Sequence, residues 1–227
     1  MTFSIAGLCP RTGAYGCAMA TSSMAAGARA VFVAPGAGVV LSQARSDPRL
    51  GELGLARLRA GDDARAAIAA MIAAAGPHVG WRQLAVLDLR GGKAANTGEH
   101  CTDAKGERFG DGVIVAGNGL ANDRVVGAMI EGYATAADRS LPDRLLAGLE
   151  AGLAAGGEAF PLRSAALKVA HPGAPLLPID LRVDCSDTPI ADLRRYWVMW
   201  EPMVEGYVQR CVDPVNSPAA SLIEGHA

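Results

Sequence analysis

Strand patterns and helix patterns follow one another in groups along this sequence. Apolar runs around turn-forming Pro and Gly residues predict two successive hairpins, and two amphipathic helical patterns come next. The same order recurs, with further strands, a second pair of helices, two final strands and a last helix. A doubly wound sheet would alternate one strand with one helix, so this order predicts an α+β fold in which helices lie outside two packed, mainly antiparallel sheets.

Caps and helix breakers set the predicted boundaries. Asp47 can cap a helix that Pro48 starts and Gly61 ends, and Gly76 with Pro77 ends the next one. The predicted strands lie within 2–23, 29–44, 81–100, 110–120, 164–171 and 179–186, and the predicted helices within 46–61, 62–77, 122–138, 141–157 and 189–212. We expect Pro202 to kink the last helix.

Composition limits the classes of protein to consider. With 227 residues, half of them hydrophobic, the chain can build one sizeable core, so we predict a single domain over 1–212 and a loose C-terminal tail over 213–227. A net charge of -2 argues against a nucleic-acid partner. Five scattered cysteines, the lack of a signal-peptide pattern and an apolar tract broken by Arg29 and Pro35 favour a cytoplasmic protein without a membrane span.

Six blocks of sequence, in this order, resemble a known family. They are "MTFSI", "SQARSDPRLG", "NTGEHC", "AGNGLA", "LLAGLEAGLAAGG" and "SAALKV". The family is DUF1028, which is grouped with the N-terminal nucleophile (Ntn) hydrolases, and the resemblance runs from Met1 to about Arg195. It implies a four-layer αββα sandwich and makes an amide-bond hydrolase the leading interpretation.

An Ntn mechanism needs a Thr, Ser or Cys whose own α-amine acts as the base. Thr2 meets this requirement once Met1 is removed, and an α-amine titrates near the pH at which such a base must work. The other interpretation is a threonine that simply begins a strand. An oxyanion stabiliser is also required, and Asn118 in "AGNGLAN" is the candidate, unless it only serves a left-handed turn.

Further candidates come from the ends of other predicted strands. Thr21 and Ser22 close the first hairpin and can position the Thr2 amine; in the family this block usually reads Ser followed by His or Lys, so the basic side chain is missing here. Gln43, Arg45 and Thr97 are candidate substrate-binding residues, although an arginine in the position of Arg45 is often just solvated.

Cofactors and metals have little support in the sequence. The glycine clusters match neither a P-loop nor a dinucleotide fingerprint, and the polar cluster around His100 lacks paired His spacing, so no cofactor and no metal are predicted. The aromatic residues of the last helix, Tyr196, Trp197, Trp200 and Tyr207, pack either across the sheets or between subunits. We favour the second and expect a homo-oligomer.

Three hypotheses about function result. The first is a cofactor-independent amidohydrolase of a small amide or peptide, with Thr2 as nucleophile, Thr21 or Ser22 positioning its amine, and Asn118 with a backbone N–H at the oxyanion. The second is a non-catalytic scaffold of Ntn type that keeps Met1 and binds a ligand or assembles with itself. The third is a metal-assisted hydrolase that uses the cluster around His100.

Overall fold

Two antiparallel sheets form the centre of this computed structural model, which describes residues 1–172, 174 and 176–226. The strands are β1 (Thr2–Leu8), β2 (Tyr15–Thr21), β3 (Val31–Ala34), β4 (Gly38–Ala44), β5 (Arg82–Asp88), β6 (Lys93–Thr97), β7 (Gly106–Gly110), β8 (Val113–Asn118), β9 (Ser164–Ala170) and β10 (Ile179–Val183). The larger sheet has the order β10-β9-β2-β1-β8-β7, and the smaller has the order β3-β4-β5-β6. The N-terminal strand β1 therefore lies inside its sheet, between β2 and β8.

Some helices fall in segments between these strands, and the others follow the last strand. They are α1 (Pro48–Arg59), α2 (Ala64–Ala75), α3 (Val125–Thr135), α4 (Leu141–Ala154), α5 (Pro189–Trp200), α6 (Val204–Val212) and α7 (Ala220–Ile223). The predicted helix start is confirmed at Asp47, whose side chain accepts a hydrogen bond of 3.1 Å from the backbone N–H of Arg49. Gly76 ends α2 as expected, with a positive φ of 54°.

Three apolar clusters divide the core. One contains Phe3 and Ile5 of β1 with residues of α3, α4 and α5, and another packs α1 and α2 against the smaller sheet. The third joins the two sheets, with Met19 of β2 and Leu41 of β4 among its members. Side chains alternate along a strand, so the face of β1 opposite Phe3, which carries Thr2 and Ser4, is the one that meets the smaller sheet.

Two elements differ from the expectation. Strand β7 was not predicted, because "GERFG" is polar and flanked by glycines, and it forms only at the edge of the larger sheet beside β8. The last predicted helix is one continuous segment in the sequence pattern, but a short 3-10 turn at Glu201–Met203 separates α5 from α6. This turn contains Pro202, the position at which the kink was expected.

The C-terminal segment is not the loose tail that was expected. Over 213–226 it folds back along α6 and includes the short helix α7. Ile223 packs so closely on Gly206 that a Cβ added there would lie 2.8 Å from the Ile223 Cγ1 atom, and the Arg210 side chain donates a hydrogen bond of 2.8 Å to the carbonyl oxygen of Pro218. Apolar contact and backbone hydrogen bonding thus order residues whose local sequence carries only a weak helical signal.

None of the helices in the described part of the chain has both the length and the apolar character that crossing a bilayer requires.

Candidate active site

A row of polar residues crosses the larger sheet at the end where β1 begins. Thr2 lies opposite Asn118 of β8, and Thr21 lies opposite Ser164 of β9. Phe3 pairs with Ala20, which makes Thr2 and Thr21 neighbours across β1 and β2. All four side chains of the row are buried. A row of buried polar groups at one end of the strands is unusual unless these groups form hydrogen bonds with each other or with a ligand.

A second polar row faces it from the smaller sheet. Gln43 of β4 lies opposite Gln83 of β5, which in turn lies opposite Thr97 of β6. The Gln43 amide donates a hydrogen bond of 2.7 Å to Gln83 Oε1, and the Gln83 amide donates one of 3.0 Å to Thr97 Oγ1. The candidates Gln43 and Thr97 therefore belong to one hydrogen-bonded chain of side chains centred on Gln83.

Hydrogen bonds join the two rows across the space between the sheets. Asn118 Nδ2 donates to Gln83 Oε1 at 2.9 Å, and Gln83 Nε2 donates to the carbonyl oxygen of Gly117 at 2.8 Å. One step deeper, the Ser4 hydroxyl donates to Gln43 Oε1 at 2.7 Å. This network closes the end of the apolar cluster between the sheets and holds the strand ends in one register.

Thr2 lies at the centre of the first row and is 6% exposed. Its hydroxyl donates a hydrogen bond to the carbonyl oxygen of Met1, and the Thr21 hydroxyl donates to the same oxygen at 2.8 Å. The nitrogen of Thr2 is part of the peptide bond to Met1 and cannot act as a base in this form. Removal of Met1 would leave a primary amine next to the Thr21 hydroxyl.

Asn118 lies within the network rather than in an open cleft, which differs from the expected placement. One amide hydrogen of Asn118 is donated to Gln83 Oε1. The Asn118 Oδ1 atom is buried without a hydrogen-bond partner among the described residues. The next residue, Gly119, has a φ of 63°, and a Cβ there would lie 2.0 Å from the Met1 Cγ atom. The side chain of Met1 thus packs directly on the backbone that follows Asn118, and only glycine permits this contact.

Ser22 contributes its backbone to the site. Its N–H donates a hydrogen bond of 2.9 Å to Oε2 of Glu158, a buried carboxylate that the sequence analysis missed. Burial raises the pKa of Glu158, while Ser22 and the charge of the N-terminal amine oppose that rise. A signal was present in "GGEAF", where an acidic residue directly follows the glycines that end α4, but a solvated loop residue has the same pattern.

Arg45 and Thr97 occupy the margin of the site. The Arg45 side chain is exposed and lies over the Trp81 ring at 4.2 Å, and the Trp81 ring contacts that of His100 with 4.6 Å between centroids. The Thr97 hydroxyl donates a hydrogen bond of 2.5 Å to Glu107 of the edge strand β7. Arg45 is therefore part of a surface stack, whereas Thr97 connects the network to the outer strand.

A cavity of about 590 Å³ opens beside the first row. Met1 and Ser22 form one side, and the loop after α4 contributes Phe160, which is 58% exposed. The ion pair of Arg163 with Asp187 completes the lining. A larger apolar groove of about 740 Å³ lies at the other end of β1, near the β1–β2 turn and α5, so the larger space is remote from the polar rows.

The described residues contain no group of three or more His, Cys, Asp or Glu side chains arranged to hold a metal ion. Near His100, the Cys101 side chain is buried and burial raises the pKa of its thiol, whereas Asp103 is exposed. These side chains do not converge on a common point.

Comparisons with known proteins identify relatives without describing an activity. Residues 2–193 match the family described as "Family of unknown function (DUF1028)". The crystal structure of protein SPO2555 from Silicibacter pomeroyi, which carries the family model DUF1028, is similar with a TM-score of 0.79 and 37% sequence identity, over 87% of this chain and 88% of that chain. Anbu (ancestral beta-subunit) from Yersinia bercovieri gives a TM-score of 0.39 and 12% identity over 91% of this chain and 97% of that chain. No curated protein matches the chain.

Proposed function

The chain belongs to the DUF1028 family, and we propose that, once Met1 is removed, it is a cofactor-independent Ntn amidohydrolase with Thr2 as its nucleophile. The proposal includes the four-layer αββα sandwich of that class. It is supported by two apolar clusters that pack helices on the two sheets and by a third that lies between the sheets. The substrate is a small amide or a peptide.

One observation carries the proposal. The carbonyl oxygen of Met1 receives hydrogen bonds from both Thr2 and Thr21. Cleavage of the Met1–Thr2 bond therefore places an amine, two hydroxyl groups and the Asn118 amide in one cluster beside a cavity. These are the groups that acyl transfer by an N-terminal nucleophile requires.

The proposed reaction runs in two steps. The Thr2 amine takes the proton of the Thr2 hydroxyl while Oγ1 bonds to the substrate carbonyl carbon, and the same proton passes to the leaving amine as the C–N bond breaks. Water then attacks the resulting ester, with the amine again as base, and releases the carboxylic acid. The second Nδ2 hydrogen of Asn118 and a backbone N–H stabilise the oxyanion, and each donor of this kind lowers the barrier by about 2.7 to 4 kcal/mol.

Substrate binding is assigned to the cavity next to Met1. Phe160 supplies an exposed apolar surface there, and Thr97 and Gln43 support the site through the Gln83 network. Since Gln43 is fully buried, its contribution is to hold Gln83 and Ser4 rather than to touch the substrate.

The test begins with the intact mass and N-terminal residue of the protein purified from its native host. A chain that begins with Thr2 is then assayed against a panel of chromogenic amides as wild type and as Thr2→Ala. The matched control is Ser23→Ala, an exposed hydroxyl two residues beyond Thr21. Hydrolysis by the wild type and the control but not by Thr2→Ala supports the proposal, and equal rates in all three reject it.

The second candidate is a non-catalytic scaffold that retains Met1. The close packing of the Met1 side chain on Gly119 and the absence of a basic residue at position 22 favour it. A retained Met1 in the native protein would support this candidate, because the Thr2 nitrogen would then stay in a peptide bond.

We also propose that the protein is a homo-oligomer. The aromatic residues of α5 are largely used within the chain, since Trp197 is buried and Trp200 stacks on Tyr207 at 5.1 Å. The neighbouring Val198 and Met199 are exposed and are better candidates for the interface. Light scattering on the wild type and on Val198→Asp tests this assignment: a smaller mass for the variant supports it, and an identical mass rejects it.

A further inference from the structure

A buried carboxylate lies beside the start of β1, and the mechanism above leaves it without a role. Glu158 is only 7% exposed, although carboxylates are rarely buried unless they are paired. Its Oε2 atom accepts the hydrogen bond from the backbone N–H of Ser22. Its Oε1 atom is buried and has no hydrogen-bond partner within the described part of the chain. This oxygen is thus available to a donor, and the Thr21 hydroxyl is already near enough to lower the pKa of Glu158.

Backbone contacts hold Glu158 next to the first polar row. Glu158 forms an antiparallel β-bridge with Leu120, and the N–H of Ala159 donates a hydrogen bond of 3.1 Å to the carbonyl oxygen of Gly119. Both partners directly follow Asn118, which lies opposite Thr2. The carboxylate is close enough to the chain terminus for the charge of the Met1 amine, one residue before Thr2, to lower its pKa.

We infer that Glu158 is the positioning residue for the Thr2 amine, and this inference rests on the proposed function. In the processed chain, its free Oε1 accepts a hydrogen bond from the α-ammonium group while Ser22 holds Oε2. A carboxylate in this position stabilises the protonated amine and directs one N–H away from Thr2 Oγ1. The lone pair that appears on deprotonation is then free to take the hydroxyl proton.

Other ionisable groups also face the chain terminus. The Cys101 thiol lies near enough to sense the N-terminal charge, but burial raises its pKa and keeps it neutral near pH 7. The Arg163 guanidinium borders the cavity and is paired with Asp187, so the two charges largely offset each other. Among these groups, Glu158 is the one whose carboxylate, once ionised, has no cationic side chain of the described residues paired with it.

The test measures the pKa of the α-amine in the full chain beginning with Thr2. This chain is obtained by natural loss of Met1 or by proteolysis of a leader that ends just before Thr2. The pH dependence of amine labelling by acetic anhydride, followed by mass spectrometry, gives the pKa for wild type, Glu158→Gln and the control Glu131→Gln, which removes an exposed charge on α3. We expect Glu158→Gln to lower the amine pKa by about one unit and the control to leave it unchanged.

An unchanged amine pKa in folded Glu158→Gln overturns the inference. A crystal structure of the processed wild type tests the same contact without a variant, in case Glu158→Gln does not fold. A Thr2 nitrogen within hydrogen-bond distance of a Glu158 oxygen supports the inference, and a separation well beyond about 3.5 Å overturns it.

The two proposals fail in different ways. A lowered amine pKa in Glu158→Gln without amide hydrolysis by the wild type rejects the hydrolase and leaves the contact with Glu158 in place. Amide hydrolysis by the wild type, together with an unchanged amine pKa in Glu158→Gln, rejects the role of Glu158 but not the hydrolase. In an active enzyme, the acidic limb of the kcat/KM profile moves to lower pH in Glu158→Gln by the same amount as the amine pKa.

Discussion

The Thr21 hydroxyl donates a hydrogen bond of 2.8 Å to the carbonyl oxygen of Met1. This contact joins the end of β2 to the residue that precedes β1, and it places a second hydroxyl where the peptide bond before Thr2 lies. Thr21 is buried, so its hydroxyl needs a partner whether or not Met1 is present. In the processed chain, we expect that partner to be the Thr2 amine.

Thr21→Val keeps the shape of the side chain and removes this hydroxyl. We expect kcat/KM for an amide substrate to fall by about tenfold or more, because the amine loses a hydrogen bond that orients it. Thr21→Ser retains the hydroxyl and is the matched control. Equal kcat/KM values for wild type and Thr21→Val would contradict the assignment.

Gly119→Ala separates backbone strain from contact with Met1. Gly119 has a φ of 63°, and a new Cβ would lie 2.0 Å from Met1 Cγ. The strain of a left-handed residue costs roughly 1 to 2 kcal/mol in any form of the chain, but the clash arises only when Met1 is retained. We expect Gly119→Ala to lower the free energy of unfolding more in the form with Met1 than in the form without it, as measured by urea denaturation.

Gly36→Ala is the control for this comparison. Gly36 has a φ of 71°, and an added Cβ there meets no described atom within 4 Å. Gly36→Ala should lower the free energy of unfolding through backbone strain alone, so the decrease should be the same with and without Met1. A cost of Gly119→Ala that is equally independent of Met1 would show that Met1 does not pack on Gly119.

Gln83→Leu removes the centre of the polar network. Gln83 exchanges hydrogen bonds with Gln43, Asn118 and Thr97. The substitution leaves buried amide groups without partners, each at a cost of about 1 to 3 kcal/mol, so we expect a large fall in the free energy of unfolding. Gln209→Leu on the exposed face of α6 is the control and should change stability by less than about 0.5 kcal/mol. Similar stabilities for both variants in urea denaturation would contradict a structural role for the network.

The stability of the chain should depend on the ionisation of Glu158. Burial raises the pKa of Glu158 in the folded state, so the folded chain holds this proton to higher pH than the unfolded chain does. The stabilisation that Glu158 contributes is fully present below about pH 4.3, which is the pKa of a glutamate in the unfolded chain. It is lost as the pH rises through the pKa of Glu158 in the folded chain. Wild type that retains Met1 should therefore lose stability relative to the same form of Glu158→Gln as the pH increases from 4 to 8. Parallel pH profiles of the two denaturation midpoints would refute this.

Local pattern was sufficient to predict most of the elements. The hairpin of β1 and β2 and the helix that begins at Pro48 follow from residues that are close in sequence, because turns and caps are made by neighbouring residues. Strand β7 and the fold-back after α6 were missed because neither segment carries a clear apolar periodicity of its own, although β7 pairs with the next strand, β8, and the fold-back packs on the adjacent helix α6. The same limit applies to the candidate site, where Arg45 lies on the surface and Glu158 was not anticipated.

The sequence by itself determined the order of strands and helices, the family, and a hydroxyl at position 2 that can become an N-terminal nucleophile. Only the tertiary structure decided that Thr2 lies between Asn118 and Thr21, that Gln83 joins the two sheets, and that Glu158 reaches the start of β1. Strand register and the path of the loop after α4 depend on packing between segments that are far apart in the chain. No local pattern encodes these contacts, because each becomes favourable only when the sheets and helices have already assembled.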